Sequence, residues 1–346
     1  VVAGLESDKA FFDSQGEALE WISIPNRFRS GAANLFWHQF YLPGILRKRN
    51  IDLVHIPSYR RILARPPAPQ IATIHDCAPF KLKGKYDLAR GFFGTRVVPW
   101  LARKCCRVIA VSETTGQDLQ HYLRLDAEKI RVVYNGIEHE RFRVNSARDI
   151  QVFRKEQGLD PPYFLYIARL EHPGKNHLHL IAAFEQYCQE SEDEVELVLA
   201  GADWHGAEVI HERIEASPVR ERIRVTGFVE NDTINLYYSG AVALVFPSLV
   251  EGFGLPLLEA MACGCPVAAS AVDTLREVGG EVALFFDPVE VGSLVSVLRK
   301  LRNMSQYERE SLIQSGISRA LNFTWDRCAQ ETLAIYDAEL EVAESS

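Results

Sequence analysis

Short apolar segments rich in β-branched residues alternate with helical patterns along the whole chain. In the first half these segments are DLVHI, QIATIH, RVIAVS and IRVVYN, and in the second half they are YFLYIA, VELVLAG, IRVTGFV, ALVFPS and PVAAS. Apolar strands of about five residues that are separated by helices are typical of parallel sheets built from βαβ units. The pattern therefore predicts an α/β protein with two parallel sheets.

The two series of strands are separated by a polar and charged segment, residues 135–162, which ends in a double proline. We place a domain boundary there, with a first domain over residues 1–145 and a second over residues 158–325. Ligands of open α/β sheets collect at the carboxyl ends of the strands, so a cleft between the two sheets is the expected site.

Residues 251–270, EGFGLPLLEAMACGCPVAAS, carry two glutamates eight positions apart in an otherwise apolar run. Glycines before Pro256, and a glycine and a proline after the run, predict a helix of about two and a half turns. Glu251 then lies in the loop before the helix and Glu259 within it, and a loop that folds back would turn both carboxylates towards one ligand. The unpaired N–H groups of the helix start suit a phosphate. The alternative is a buried helix whose glutamates pair with arginines.

A second candidate anion site follows the segment YFLYIA. Arg169 and Lys175 lie in the loop RLEHPGKN, and two cations just after a strand and beside a helix start favour a phosphate. Ordinary solvated charges in a turn are the alternative. Together, the two cations and the two acids describe a ligand with both phosphate and hydroxyl groups, which is a nucleotide sugar. In the first half, His75 and Asp76 end a predicted strand, where a histidine is either structural or part of a site.

Charge is divided unevenly along the chain. Residues 1–150 hold 23 Lys and Arg against 15 Asp and Glu, a net +8, and the remaining residues hold 15 against 31, a net −16. Within the basic half, residues 80–107 carry eight basic residues against a single aspartate, interleaved with aromatic side chains. The mixture favours an anionic membrane face or a phosphate-bearing acceptor, contacted by Lys81, Lys83 and Lys85. A solvated basic face is the alternative.

The composition is that of a folded protein of 346 residues, of which 47% are hydrophobic and 24% charged. No apolar run approaches the ~20 residues of a membrane span, and the first residues lack a signal pattern. The seven cysteines show no CxxC pair, so neither a disulfide framework nor a zinc site is indicated. We therefore expect a cytoplasmic protein, peripheral at the inner face of the membrane if the basic segment binds lipid.

The order of motifs along the chain resembles the retaining glycosyltransferases of family 4, which have the GT-B fold. The motifs are VYNGIEHERF, YIARLEHPGKN, LVLAG, VTGFV, LYYSGAVALVFPSLVEGFGLPLLEAMACGCPVAAS and FTW. The likeness extends from about DLVHI to Trp325, and the Glu-x7-Glu spacing within it is highly specific. The resemblance implies an α/β GT-B fold of two Rossmann-like domains that face a central cleft, with residues 326–346 crossing back to the first domain as a terminal helix.

The resemblance also implies roles for the candidate residues. In this family the residue that matches Glu251 lies by the donor sugar, and the one that matches Glu259 hydrogen-bonds the nucleotide ribose. The cations that match Arg169 and Lys175 hold the diphosphate. Relatives carry a histidine that reaches the donor sugar across the cleft, so His75 is the expected acceptor-side catalytic residue. Backbone groups of three further residues would border the sugar and phosphates, namely Phe253, Gly254 and Leu255.

The implied reaction moves a sugar to a glycan or lipid-linked acceptor with retention of configuration. GDP-mannose is the first choice of donor, and UDP-linked sugars are the alternative. No cofactor or metal is expected, because the chain offers no DxD-like pair at a strand end, and nucleic acid is not an expected partner. Two other classes stay open, a nucleotide-sugar 2-epimerase of the same architecture and a catalytically silent glycan- or lipid-binding subunit.

The opening residues depart from the family pattern. The family begins with a strand and a Gly-rich turn that contributes to donor and acceptor binding, whereas VVAGLESD resembles the second strand. The first strand and its turn are therefore expected to be missing from residues 1–145.

Overall fold

The strands pair in parallel throughout the part of the chain that the structure describes. A computed structural model describes residues 1–13, 20–82, 85 and 87–345. In chain order the strands are β1 (Val2–Leu5), β2 (Trp21–Ile24), β3 (Val54–Ile56), β4 (Gln70–Ile74), β5 (Arg107–Ala110), β6 (Ile130–Val132), β7 (Tyr163–Ile167), β8 (Glu196–Ala200), β9 (Ile223–Gly227), β10 (Ala243–Phe246), β11 (Val267–Ser270) and β12 (Leu284–Phe286). The predicted segments from DLVHI to PVAAS are confirmed as β3 to β11, whereas the pattern does not predict β2 and β12.

Helices connect the strands in both domains. In chain order they are α1 (Lys9–Asp13), α2 (Gly31–Phe40), α3 (Leu42–Lys48), α4 (Ala78–Lys81), α5 (Leu88–Phe92), α6 (Val98–Ala102), α7 (Glu113–Leu123), α8 (Ala147–Glu156), α9 (His177–Gln189), α10 (Ala207–Glu215), α11 (Ile234–Gly240), α12 (Leu255–Ala262), α13 (Asp273–Gly279), α14 (Val291–Asn303), α15 (Gln306–Ala320) and α16 (Trp325–Glu344). None of the described helices is both long enough and apolar enough to cross a bilayer. The predicted α/β architecture is confirmed.

The second domain is built on a six-stranded sheet in the order β12-β11-β10-β7-β8-β9. Every residue of β10 and β11 is buried, because helices cover both faces of a sheet of this kind. These strands therefore appear in the sequence as unbroken apolar runs and do not alternate. The strand order reverses between β7 and β10, and a doubly wound sheet binds its ligand at such a point.

The first domain contains a two-stranded sheet, β1-β2, and a four-stranded sheet, β3-β4-β5-β6. A cavity of about 790 Å³ lies between them and is lined by residues of β1, β2 and β3 and by Tyr336 of α16. Among the described strands, none lies between β1 and β3, which is the position that β7 takes between β8 and β10. The match of VVAGLESD to the family's second strand stays a prediction.

The terminal helix α16 packs on the sheet of the first domain. Its Tyr336 hydroxyl lies 2.5 Å from Nδ1 of His55 on β3, and Glu339 forms an ion pair with Arg107 of β5 at 2.9 Å. A small apolar cluster of the first domain completes this contact and contains Ile71, Ile109 and Val133. The end of the chain is thereby fixed to the first domain.

Candidate active site

The loops after β7 and β10 meet where the strand order of the second sheet reverses. Arg169 and Lys175 lie in the loop after β7, and Glu251 lies in the loop after β10. The two loops are tied together by Asn176, whose side-chain amide donates to the carbonyl oxygen of Pro247 at 3.1 Å. The topology therefore places these candidate residues where a doubly wound sheet binds its ligand.

Lys175 and Glu251 form an ion pair across these two loops. The Nζ of Lys175 lies 2.6 Å from Oε1 of Glu251, and both side chains are largely shielded from water. The same ammonium lies 5.6 Å from the ring centroid of Phe246, the last residue of β10. The pair holds a cation and a carboxylate side by side, so one ligand that carries phosphate and hydroxyl groups can contact both.

Arg169 stacks on an aromatic ring that the sequence pattern does not single out. Its guanidinium carbon lies 4.6 Å from the ring centroid of Trp204, which is 56% exposed. The loops that carry the two residues are joined by a hydrogen bond from the Trp204 N–H to the carbonyl of Leu170 at 3.0 Å. Stacking orients the guanidinium plane and leaves its N–H edge for an anion. The sequence signal for Trp204 is no more than a tryptophan just past the end of a strand.

The predicted short helix is confirmed as α12, which begins at Leu255 with Pro256 in its first turn. Gly254 precedes it with φ +103°, a left-handed conformation that glycine adopts readily. No described side chain caps this helix start, Pro256 has no N–H group, and the Leu257 N–H donates to the Gly254 carbonyl at 3.0 Å. Among the first three residues of α12, the N–H that remains for a ligand is therefore that of Leu255. The Phe253 side chain is buried, and its ring centroid lies 6.0 Å from that of Tyr134. Only the backbone of Phe253 is therefore left to border a sugar or phosphate.

Glu259 lies within α12, and its carboxylate is partly occupied. Its Oε2 accepts a hydrogen bond from the Tyr238 hydroxyl at 2.8 Å, which leaves Oε1 for a ligand. Burial raises the pKa of Glu259, and this effect exceeds the opposing effects of the Tyr238 hydrogen bond and the Arg141 charge. None of the described arginines forms an ion pair with Glu259 or with Glu251, so the alternative of glutamates held by buried arginines receives no support.

His75 follows β4 and lies next to the loop that carries Glu251. A Cβ placed on Gly252 would lie 1.5 Å from the carbonyl oxygen of His75, so the two backbones are in direct contact across the domain boundary. The exposed imidazole donates from Nε2 to the carbonyl of Pro57 at 3.0 Å, which makes Nδ1 the acceptor of the neutral ring. Asp76 accepts from the Ala78 N–H at 2.9 Å and thereby shapes the turn after β4.

Two hydroxyl groups of the first domain hold the Glu251 loop. Ser112 and Thr115, at the start of α7, donate to the carbonyl oxygen of Gly252 at 2.8 and 3.1 Å. Both residues are almost fully buried. The sequence predictions do not include these residues, and their local signal is a serine, Ser112, at a helix N-cap position.

Two family models match the chain. The model described as Glycosyltransferase Family 4 matches residues 1–141, and the model described as Glycosyl transferases group 1 matches residues 148–319. The chain belongs to the family 4 glycosyltransferases. The predicted membership is thereby confirmed, and the gap between the two matched ranges, residues 142–147, ends at the first residue of α8.

Several curated relatives of this family 4 protein are mannosyltransferases. The O-antigen chain mannosyltransferase B of Escherichia coli is 30% identical over 230 residues, which make up 66% of this chain and 60% of that protein. The MMP α-(1→4)-mannosyltransferase of Mycolicibacterium hassiacum is 27% identical over 308 residues, 84% of this chain and 71% of that protein. The match to the serotype-specific mannosyltransferase WbdA of Escherichia coli spans only 32% of its length. The chain thus spans about 60% of the length of the first of these relatives.

Several solved structures have a fold similar to that of this chain. HepE from Anabaena, solved with UDP and glucose, has a TM-score of 0.78 at 19% identity, covering 96% of this chain and 89% of that chain. Sucrose-phosphate synthase from Thermosynechococcus elongatus has a TM-score of 0.75 at 22% identity, covering 93% and 81%. The predicted GT-B fold of two Rossmann-like domains is therefore confirmed.

The lysines assigned to an anionic surface have protein partners in this family 4 protein. Lys81 lies 2.5 Å from Asp118 of α7, and Lys85 lies 2.5 Å from Glu171 in the loop after β7. Lys83 lies outside the described residues. The pairing arises because the fold brings distant acids to a segment that is basic in sequence. The role of the three lysines at a membrane or acceptor stays a prediction. The positive charges of Lys81 and Lys85 are each paired with a carboxylate, which the sequence does not indicate.

The described residues of this family 4 protein contain no group of three or more His, Cys, Asp or Glu side chains placed to hold a metal ion. The expectation that no metal or cofactor takes part stays a prediction.

Of the candidate residues, the structure brings Lys175 to Glu251 and the backbone of His75 to the loop of Glu251. Glu259 and Arg169 each have a different partner, Tyr238 and Trp204.

Proposed function

We propose that this chain transfers a sugar from a nucleoside diphosphate donor, held between its two domains, to a glycan or lipid-linked acceptor. The observation that carries the proposal is the Lys175–Glu251 ion pair at the switch point of the second sheet. The loop that holds Glu251 also contacts the backbone of His75 in the first domain. A cation and an acid beside a group from the opposite domain suit a donor on one side and an acceptor on the other.

The positions of the side chains suggest how the donor is held. The diphosphate would lie between Arg169, Lys175 and the start of α12, whose Leu255 N–H and positive dipole end attract an anion. The ribose would bind Oε1 of Glu259, and the sugar would lie between Glu251 and His75. These assignments match each group of the donor to a side chain of complementary charge or hydrogen-bonding capacity.

The proposed transfer proceeds with retention of configuration through an oxocarbenium-like transition state. The bond between the sugar C1 and the donor phosphate oxygen breaks, and a bond from C1 to the acceptor oxygen forms on the same face. A donor phosphate oxygen takes the acceptor proton, and Arg169, Lys175 and the α12 start stabilise the leaving diphosphate. These fixed charges do the work that a divalent ion does in other transferases, so no metal is required.

We favour mannose as the sugar and GDP as the nucleotide, with UDP-linked donors as the alternative. Support for mannose comes from relatives in Escherichia coli and Mycolicibacterium hassiacum that are named as mannosyltransferases. Support for a UDP donor comes from HepE, which was solved with UDP-glucose. The relatives named for O-antigen chains also favour a role in polysaccharide or glycolipid synthesis.

The proposal is tested by incubating the chain with GDP-mannose, UDP-glucose and related donors, each with and without lipid-linked and soluble glycan acceptors. We expect acceptor-dependent release of nucleoside diphosphate and a glycosylated product, unchanged by EDTA. Loss of transfer in EDTA that only Mg²⁺ or Mn²⁺ restores would contradict the metal-independent mechanism. Conversion of the donor alone to an isomer would instead indicate a 2-epimerase, and failure to consume any donor would indicate a silent binding subunit.

Glu259→Ala should weaken binding of the preferred nucleotide by roughly 10- to 150-fold, or about 1.5 to 3 kcal/mol, because ribose hydroxyls in a shielded site lose a charged acceptor. Isothermal titration of GDP and UDP measures the change. Glu281→Ala, at an exposed glutamate outside the site, is the matched control. Equal affinities of the two variants for both nucleotides would remove Glu259 from the donor site.

An anionic membrane face is the proposed location of a lipid-linked acceptor. Between residues 80 and 107, exposed apolar side chains occur beside basic ones, and Lys104 lies 3.8 Å from the ring centroid of Trp100. Leu88 and Phe92 of α5 are 94% and 63% exposed. Side chains of this mixed character suit a membrane interface.

Liposome flotation tests this location. We expect recovery with anionic liposomes only, decreasing as salt rises, because exposed charges are screened beyond ~10 Å at 0.1 M. The double variant Leu88→Ser and Phe92→Ser should reduce recovery, whereas Tyr307→Ser, at an exposed aromatic residue of the acidic second domain, should not. Equal recovery with neutral and anionic liposomes, or none at low salt, would favour a soluble acceptor.

A further inference from the structure

The start of α7 in the first domain is held by a carboxylate of the second domain. Glu277 of α13 accepts hydrogen bonds from the Glu113 N–H at 2.7 Å, the Thr114 N–H at 2.9 Å and the Thr114 hydroxyl at 2.7 Å. A carboxylate at a helix N-terminus meets unpaired N–H groups and the positive end of the helix dipole. Both oxygens of Glu277 are thus used in a contact between domains.

The same turn of α7 holds the loop of Glu251. Ser112 accepts from the Thr115 N–H at 3.0 Å and donates to the carbonyl of Gly252, and the Thr115 hydroxyl donates to that carbonyl too. The first three N–H groups of α7 are therefore satisfied, two by Glu277 and one by Ser112. This helix start is a docking element between the domains, and its N–H groups are not available to an anion.

The backbone of Glu277 is anchored at the end of α13. Arg319 donates to the carbonyl oxygens of Glu277 and Val278 at 2.6 and 2.9 Å, which anchors the end of α13. The Tyr134 hydroxyl lies beside the Glu277 carboxylate, and burial, followed by the charge of Glu277, raises the pKa of Tyr134 to about 12. Arg319 belongs to the second domain, so the backbone of Glu277 is held within the domain that carries it.

We propose that Glu277 is a positioning residue that latches α7 against the second domain and so sets the loop of Glu251 opposite His75. The latch and the loop act on the same turn of α7, so releasing one loosens the other. Donor contacts assigned above lie on the second domain, whereas His75 lies on the first. The latch therefore governs the alignment of acceptor-side and donor-side groups more than it governs donor affinity. This consequence for catalysis rests on the proposed function, but the latch itself does not.

Amide hydrogen exchange of the ligand-free protein tests the latch without any assay of activity. We expect the Glu113 and Thr114 amides to exchange at least about tenfold faster in Glu277→Gln than in wild type, because the Gln amide group faces donors where a carboxylate oxygen accepted. Glu281→Gln is the control at a nearby exposed glutamate, and Glu277→Ala is a second variant. Melting temperatures show whether each variant is folded. Wild-type exchange of both amides in folded Glu277→Gln and Glu277→Ala would overturn the latch.

Steady-state kinetics test its consequence for transfer. In Glu277→Gln we expect the turnover number to fall about tenfold or more while KM for the donor changes less than about twofold, and Glu277→Ala to show the same pattern. If Glu277 had a purely structural role, Glu277→Gln would be less stable but would keep the turnover number and donor KM of Glu281→Gln. That result would overturn the proposed effect of Glu277 on transfer. If wild type transfers no sugar, the proposed function fails while the exchange result still decides the latch.

Discussion

Lys175→Met should lower the turnover of sugar transfer by about 100- to 1000-fold at saturating donor, the range found when one preorganised donor to a developing oxyanion is removed. The Lys175 ammonium lies 2.6 Å from Glu251 at the switch point, where the proposed mechanism places the negative charge of the leaving diphosphate. An interaction that strengthens in the transition state affects turnover more than donor affinity. Methionine retains an unbranched side chain beside Phe246 and removes the charge. Initial rates of nucleoside diphosphate release at saturating donor measure the effect.

Two further variants calibrate this result. Arg169→Leu should act in the same direction, because its guanidinium is the second cation of the loop. Lys300→Met, at an exposed lysine of α14, should leave turnover unchanged. If Lys175→Met and Arg169→Leu both kept turnover within about threefold of Lys300→Met, neither residue would stabilise the leaving group.

Gly252→Ala should reduce turnover by about 100-fold or more while nucleotide affinity changes only a few-fold, because misplacing reacting groups by about 1 Å has an effect of this size. A Cβ at this position would lie 1.5 Å from the His75 carbonyl oxygen and 3.2 Å from Cβ of Asp76. The Gly252 carbonyl is itself held by Ser112 and Thr115, so the loop cannot move aside without losing these contacts. The variant therefore forces the donor loop away from the first domain.

Gly292→Ala is the matched control for this experiment. Gly292 lies in α14, and a Cβ there would meet no atom within 4 Å. Alanine is expected to stabilise a helical position of this kind by about 0.4 to 1 kcal/mol. Turnover of Gly252→Ala equal to that of Gly292→Ala would show that the contact between the donor loop and His75 is not needed for transfer.

The sequence predicts the second domain well because its sheet is buried on both faces. Segments such as YFLYIA and ALVFPS are continuous apolar runs, as expected of strands in a parallel sheet that helices cover on both faces. The strand β2 is not predicted, since WISI is only four residues long. The helix α12 is predicted because glycine and proline mark both of its ends.

Contacts between residues that are far apart in the chain cannot be predicted from the local sequence pattern. The Lys175–Glu251 pair joins residues 76 positions apart, and the contact of Glu277 with Thr114 joins residues 163 positions apart. The same limit applies to Lys81, whose basic neighbours in sequence give no sign of its partner Asp118. Local spacing identifies which residues carry chemistry, whereas the fold decides which of them meet.

A crystal structure of the chain with its preferred nucleoside diphosphate tests the central claim most directly. The account predicts that the diphosphate contacts Arg169 and Lys175 within about 3.2 Å, the usual length of a charge-assisted hydrogen bond, and that a ribose hydroxyl contacts Glu259. A nucleotide bound instead in the cavity beside His55, or a cleft left empty at concentrations where titration shows saturation, would contradict it.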